Sequence, residues 1–319
     1  MSAFDLQLES VLQAMTAGLI VGCIYGVMCA GLSIIFGVMR VINFAQGEFF
    51  MLGMYFTFYL ATSHVVASAL GPGAAAFLIA FVAGPVFYLV GVIIHRWLMS
   101  GVTGRRSVGM EGEGQHAQLI LTLGISLLLQ NGALIFFGSM PLGIRTPLSS
   151  SAWELDLIGD SGSIFINKGR GIAAILSIGV TFVLYLFMTR TTLGKALRAA
   201  ADNPDAATYM GIDVQRCHRI AFGVGTAIAA IAGGFVATYY PLQPYVGLEF
   251  VIIMYTGVVL GGVESTVGAF WGGLIIGLVQ QMSALVLPNQ LQTTAIFAVL
   301  IFVMMIRPQG LFGRIVDRT

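Results

Sequence analysis

The chain has 319 residues, of which 57% are apolar types and only 9% are charged, with a mean hydropathy of +0.92. A soluble domain carries roughly 25% charged residues, so this chain cannot wet a soluble surface, and the same apolar excess excludes intrinsic disorder. Fifteen Lys and Arg against fourteen Asp and Glu leave a net charge of +1, which removes the electrostatic footprint of a nucleic-acid binder.

The chain reads as an integral membrane protein. A helix needs about 20 apolar residues to cross a bilayer. Nine segments meet or approach that length: Val11 to Met39, Phe44 to Thr62, Ala74 to Met99, Ala117 to Phe137, Gly171 to Thr189, Ile220 to Tyr240, Phe250 to Val263, Val267 to Leu287 and Thr293 to Ile306. The first is over-long and the seventh short and glycine-rich, so the count is about nine, between eight and ten. The predicted fold is all-α, a polytopic transmembrane helix bundle forming one domain over residues 1–319.

The first segment carries Gly18, Gly22, Gly26 and Ala30, one small residue every four, and the eighth repeats the pattern with Gly268, Gly272, Gly273 and Gly277. Such stripes let helices approach closely. Between the first two segments runs Val41-Ile42-Asn43-Phe44-Ala45-Gln46-Gly47-Glu48. Asn43 is expected to N-cap the second helix, with the Glu48 carboxylate in the first turn at the positive helix end. Two readings of Glu48 stay open: a capping or packing device, or a group lining a polar path. In the fourth segment Gln130 and Asn131 place two adjacent amides in hydrocarbon, where they must face the bundle or a polar cavity. Interhelix bonding and ligand contact are both open for them.

The loop 138–170 holds Pro141, Pro147, three serines at 149–151 and Trp153. Its alternation at 153–158 and 164–166 predicts a short hairpin. The loop 190–219 carries five of the fifteen cations. There Thr191 or Thr192 can cap a helix from Leu193 to Ala201. Asn203 is the next N-cap, Pro204 suits the first helical position, Asp205 suits the first turn, and Gly211 is the stop. Alanine-rich faces on these two short helices suit close contact with another protein, and Lys195 and Arg198 can donate to acidic or carbonyl groups on it. Glu249 reads as a solvated rim residue and Glu264 as a turn residue between two short segments.

With the N-terminus outside and nine spans, twelve of the fifteen cations fall in inner loops or at their edges; Arg145, Lys168 and Arg170 fall outside. The positive-inside rule supports that orientation, with the C-terminus inside. The N-terminal tail has no basic region of the signal-peptide kind.

Chemistry-bearing motifs are few. The three cysteines are an odd count with no disulfide framework, and the four histidines are scattered, with no H-E-x-x-H or C-x-x-C spacing to hold a metal. Neither G-x-x-x-x-G-K-[ST] nor G-x-S-x-G occurs, so the chain has no recognisable means of binding ATP by itself.

Three blocks together carry a family resemblance. The run Gly-Leu-Ser-Ile-Ile-Phe-Gly-Val-Met-Arg-Val-Ile-Asn-Phe-Ala-Gln-Gly-Glu-Phe from Gly31 to Phe49, the double-helix loop, and Arg307-Pro-Gln-Gly-Leu-Phe-Gly313 resemble permease subunits of the high-affinity branched-chain amino-acid ABC importers. With the glycine-rich turn from Gly261 to Gly273, the likeness spans nearly the whole chain. The family usually has His where this chain has Gln46, and a small residue where it has Glu264.

The resemblance implies a type II-like ABC importer permease in a bacterial inner membrane, forming half of a translocation pore. It implies a second related permease chain, two cytosolic ATPase subunits and a periplasmic substrate-binding protein as partners. ATP would be bound by the ATPases, so this chain needs no cofactor. Gly194, Lys195, Ala196, Arg198, Ala199, Asn203, Asp205, Ala206 and Gly211 would form the ATPase-coupling loop. Asn43, Gln46, Glu48, Gln130 and Asn131 are the candidates for the substrate path. Relatives that move urea or short amides keep substrate choice open.

An ion-coupled transporter buries charge at the bilayer midplane, and no segment centre here offers one; a passive small-solute channel stays open. A membrane-embedded enzyme needs a cluster of His, Asp, Glu or Cys at membrane depth, and the sequence presents none.

Overall fold

The structure, a computed structural model, describes residues 3–63, 72–100, 113–144, 148, 150–156, 163–288 and 291–313. Arg145, Pro147, Ser149 and position 158 of the predicted hairpin, and the cations Arg105, Arg106, Arg314 and Arg318, lie outside the described residues.

The helices in chain order are α1 (Ala3–Met39), α2 (Gln46–Ala61), α3 (Pro72–Ile94, continued by a π-turn over His95–Met99), α4 (Glu113–Phe137), α5 (Lys168–Arg190), α6 (Thr192–Asp202), α7 (Pro204–Tyr209), α8 (Val214–Val236), α9 (Val246–Gly261), α10 (Thr266–Ser283) and α11 (Gln292–Ile306). Before α5 stands the expected hairpin, β1 (Ala152–Asp156) antiparallel to β2 (Ser163–Asn167), with Trp153 opposite Ile166.

The over-long first segment is one helix of 37 residues. Its glycine stripe meets that of α10, and the pairs Gly18–Leu278, Gly22–Leu274 and Gly26–Phe270 run in opposite directions, so the two helices are antiparallel. A Cβ on Gly273 would stand 2.5 Å from the Gly26 nitrogen, and one on Gly22 would stand 2.6 Å from the Leu274 carbonyl oxygen. Backbone therefore lies on backbone. Gly273→Val is expected to force the pair apart, at an overpacking cost of about 1–3 kcal/mol. A lowered melting temperature in detergent checks this; an unchanged one would contradict the apposition.

Among the described residues, five helices are long and apolar enough to cross a membrane: α1, α3 with its π-turn, α4, α5 and α8. α9 and α10 qualify only together and are bent by 119° at their junction, which makes six at most. The nine spans expected from apolar runs are thus not borne out as nine full-length helices. α2, α9 and α11 have 16, 16 and 15 residues, short of the roughly 20 a straight crossing needs. Hydropathy counts apolar residues through a chain break, whereas the backbone turns at it.

The α9–α10 turn shows how. Gly262 takes φ +106° and Gly310 φ +80°, where a Cβ would be strained. The C-terminal block docks on this turn: the Leu311 N–H donates to the Leu260 carbonyl (2.9 Å) and the Phe312 N–H to the Gly261 carbonyl (3.1 Å). Two glycine-bearing blocks far apart in sequence thus form one unit. Ser265 caps α10 by accepting from the Gly268 N–H, and Glu264 is exposed in the turn, as expected.

The hairpin rests on the first part of α1, where the Gln13 side chain both donates to the Phe165 carbonyl (2.7 Å) and accepts from its N–H (3.0 Å). The α6–α7 pair lies beyond the other end of α1, in contact with Arg40. These features define two ends of the bundle.

Candidate functional site

A cluster of buried polar side chains lies where α1 gives way to α2. Residues 40–45 are not helical, yet Val41, Asn43 and Ala45 are buried. Non-helical backbone at membrane depth is tolerated only where protein supplies its partners. Two amides do so. The Asn43 Oδ1 accepts from the Ala45 N–H (3.2 Å), and its Nδ2 donates to the Gln46 Oε1 (3.4 Å). The Gln46 Nε2 in turn donates to the Gly225 carbonyl of α8 (2.9 Å). The helix N-cap is Ala45, not Asn43. Asn43 closes a side-chain turn two residues earlier, so α2 begins later than the capping grammar suggested. Asn43 and Gln46 clamp this elbow to α8.

Glu48 follows in the first turn of α2 and is 1% exposed. Its Oε1 accepts from the Ser126 Oγ of α4 at 3.2 Å, while its Oε2 is buried with no partner among the described residues. The positive end of α2 favours a carboxylate there. One acceptor oxygen stays open, which a packing role alone leaves unexplained.

Ser126 belongs to a stripe that the sequence reading overlooked. Gln118, Thr122, Ser126 and Gln130 recur every four residues on α4; Gln118, Thr122 and Gln130 are buried and Ser126 half-buried. The Thr122 Oγ1 donates to the Ile42 carbonyl in the elbow (3.3 Å). The spacing was available as a signal, since residues four apart share a helix face. Asn131 differs from Gln130. It is exposed and bonds back to the Leu127 carbonyl of its own helix (2.7 Å). Adjacent helical residues diverge by about 100°, so the two amides cannot share one face. The expectation that both look inward holds for Gln130 only.

At the opposite end from the hairpin, the double helix has the capping geometry read from the sequence. The Thr191 hydroxyl accepts from the Gly194 N–H (2.9 Å), and the Asn203 Oδ1 accepts from the N–H groups of Asp205 (3.1 Å) and Ala206 (3.0 Å). Pro204 opens α7, and Gly211 ends it with φ +82°. Gly194, Leu197, Ala200 and Ala207 face inward, and Ala196 and Ala199 are half-buried. Lys195, Arg198, Asn203, Asp205, Ala206 and Gly211 face out. Tyr209 is 89% and Met210 83% exposed beside them. These two were also overlooked, although an aromatic and a Met next to a helix stop, inside a polar loop, are interface residue types.

Near the hairpin, a cavity of about 540 Å³ is lined by Ile144, Asn167, Arg170, Tyr239 and Tyr240 among others. The Arg170 guanidinium stands 5.1 Å over the Tyr239 ring. Glu249, exposed nearby, accepts from the Tyr240 hydroxyl (3.2 Å).

The described residues thus form a buried polar elbow in an apolar bundle, with a capped double helix at one end. The family described as the permease component of the branched-chain amino acid transport system matches residues 14–307. The chain belongs to this family. It is 29% identical over 306 residues to the high-affinity branched-chain amino acid transport system permease protein LivH of Escherichia coli (strain K12), covering 95% of this chain and 96% of the relative. It is 29% identical over 311 residues to the corresponding permease protein BraD of Pseudomonas aeruginosa, with coverage of 95% and 96%. It is 26% identical over 298 residues to a probable LivH of Methanocaldococcus jannaschii, with coverage of 90% and 87%. No solved structure matches the chain.

As a member of this permease family the chain is a multi-pass membrane protein and a component of an importer, not an enzyme. The matched region contains the elbow, the α4 stripe and the α6–α7 pair.

Proposed function

We propose that the chain is the membrane-spanning permease subunit of an ATP-driven importer for branched-chain or other small amino acids, and forms half of the translocation path. A second, related permease supplies the other half. Two cytosolic ATPase subunits dock on α6–α7 and bind the ATP, and a periplasmic binding protein delivers substrate at the hairpin end. The chain lies in a bacterial inner membrane with its N-terminus outside and the α6–α7 end in the cytoplasm. Lys195, Arg198, Asp205 and Ala206 meet the ATPase, joined by Tyr209 and Met210. Glu48, with its open acceptor oxygen, and Gln130 line the path; Asn43 and Gln46 hold its wall.

The observation that carries this reading is the exposed, fully capped α6–α7 pair, in a chain of a permease family. A self-contained channel has no use for such a face. The names of the relatives support the substrate class.

The test is to purify the chain from native membranes in mild detergent and assay the co-purifying ATPase. The complex is then reconstituted for ATP-driven uptake of labelled leucine, isoleucine and valine, with urea alongside. Co-purifying ATPase and amino-acid uptake are expected. A chain that purifies alone and passes solutes without ATP would overturn the importer reading; urea uptake in place of amino-acid uptake would overturn the substrate class.

A further inference from the structure

Arg40 ends α1 with φ +54°, and it is the one described non-glycine residue with positive φ. A side chain with a Cβ is strained there, and glycine would be relaxed. Such strain persists where surrounding contacts hold it, and the contact here is specific. The Arg40 Nη2 donates to the Ala201 carbonyl at 3.0 Å and lies 3.5 Å from the Asp202 carbonyl. Both carbonyls belong to the last turn of α6, a helix end left without intrahelical donors and carrying the negative pole. The Nη2 carries two N–H donors in the guanidinium plane and can serve both carbonyls. On its other side, Arg40 leads through five residues into the buried Gln46 and Glu48 of α2. One side chain thereby joins the exposed double helix to the elbow.

We propose that Arg40 is a positioning residue that transmits movement of α6 to the elbow of residues 40–48, so that events at the docking face reset Glu48. The proposal rests on the reading of α6–α7 as the ATPase-docking surface. A purely structural tie would serve stability and no more. Arg40→Gly separates the two roles, because it relieves the backbone strain while removing the guanidinium. Arg40→Lys keeps the charge but not the planar guanidinium.

The experiment compares wild type, Arg40→Gly and Arg40→Lys as complexes purified from native membranes and reconstituted in liposomes. It reads ATPase co-purification, basal ATP hydrolysis, melting temperature and uptake per ATP hydrolysed. For Arg40→Gly the expected result is wild-type co-purification, wild-type basal hydrolysis, an unchanged or raised melting temperature, and uptake per ATP reduced about tenfold, an ordinary size for coupling between sites. Arg40→Lys should fall between. Wild-type uptake per ATP in Arg40→Gly would overturn the proposal. So would loss of ATPase co-purification in that variant, which would make Arg40 a docking residue. If no ATPase co-purifies with the wild-type chain, the docking reading itself has failed, and the proposal falls with it.

Discussion

Reversing the charges on the exposed double helix, with Arg198→Glu and Asp205→Lys together, is expected to reduce ATP-driven uptake about 100-fold while the chain stays folded and inserted. Both side chains are exposed and lie outside the apolar core. Surface substitutions of this kind change stability by about 0.5 kcal/mol or less. Asp205→Lys loses a favourable interaction with the start of α7, but the Asn203 cap remains, because its Oδ1 accepts from the backbone N–H groups of residues 205 and 206. At a docked interface the effect is far larger, since disrupting a desolvated charge pair costs about 2–5 kcal/mol. The measurement pairs membrane abundance of the variant with uptake and with co-purifying ATPase. Undiminished uptake would sink the docking assignment. Loss of membrane abundance in step with uptake would mean that the pair serves folding instead.

Glu48→Gln is the second large effect. The substitution keeps the side-chain size and an oxygen able to accept from Ser126, which now stands 3.2 Å from the Glu48 Oε1. It converts the open, buried Oε2 position into a neutral amide. If that oxygen receives a donor from the passing substrate, uptake should fall about tenfold, equivalent to about 1.4 kcal/mol and the scale of one hydrogen bond. Expression and melting temperature should stay close to wild type. Ser126→Ala should act in the same direction with a smaller effect, because it removes only the support of the oxygen that is already partnered. Equal loss of expression and uptake in Glu48→Gln would favour a packing role.

Features set by near neighbours in the chain were legible in the sequence. The caps at Thr191 and Asn203, the stop at Gly211, the hairpin and the α1 glycine stripe all follow from residue types one to four positions apart. The same local rules misplaced the start of α2, because an Asn that can cap a helix can also close a turn ahead of it, and only packing against α8 chooses between them. They also sent Asn131 inward with Gln130, although no local rule says which face of α4 meets the bundle.

The sequence by itself determined that this is a helical membrane protein, because the bilayer demands long apolar runs, and where α6 and α7 begin, because both are capped by their own flanking residues. Only the tertiary structure decided which runs are complete spans, which polar groups meet, and how the elbow and the α6–α7 pair are joined. Ser126 reaches Glu48 across 78 positions, and Arg40 reaches Ala201 across 161. Such bonds depend on how whole helices pack, and the physical reason they escape a sequence reading is that packing depends on the shape of every facing surface at once, whereas capping and hydropathy depend only on the residues next door.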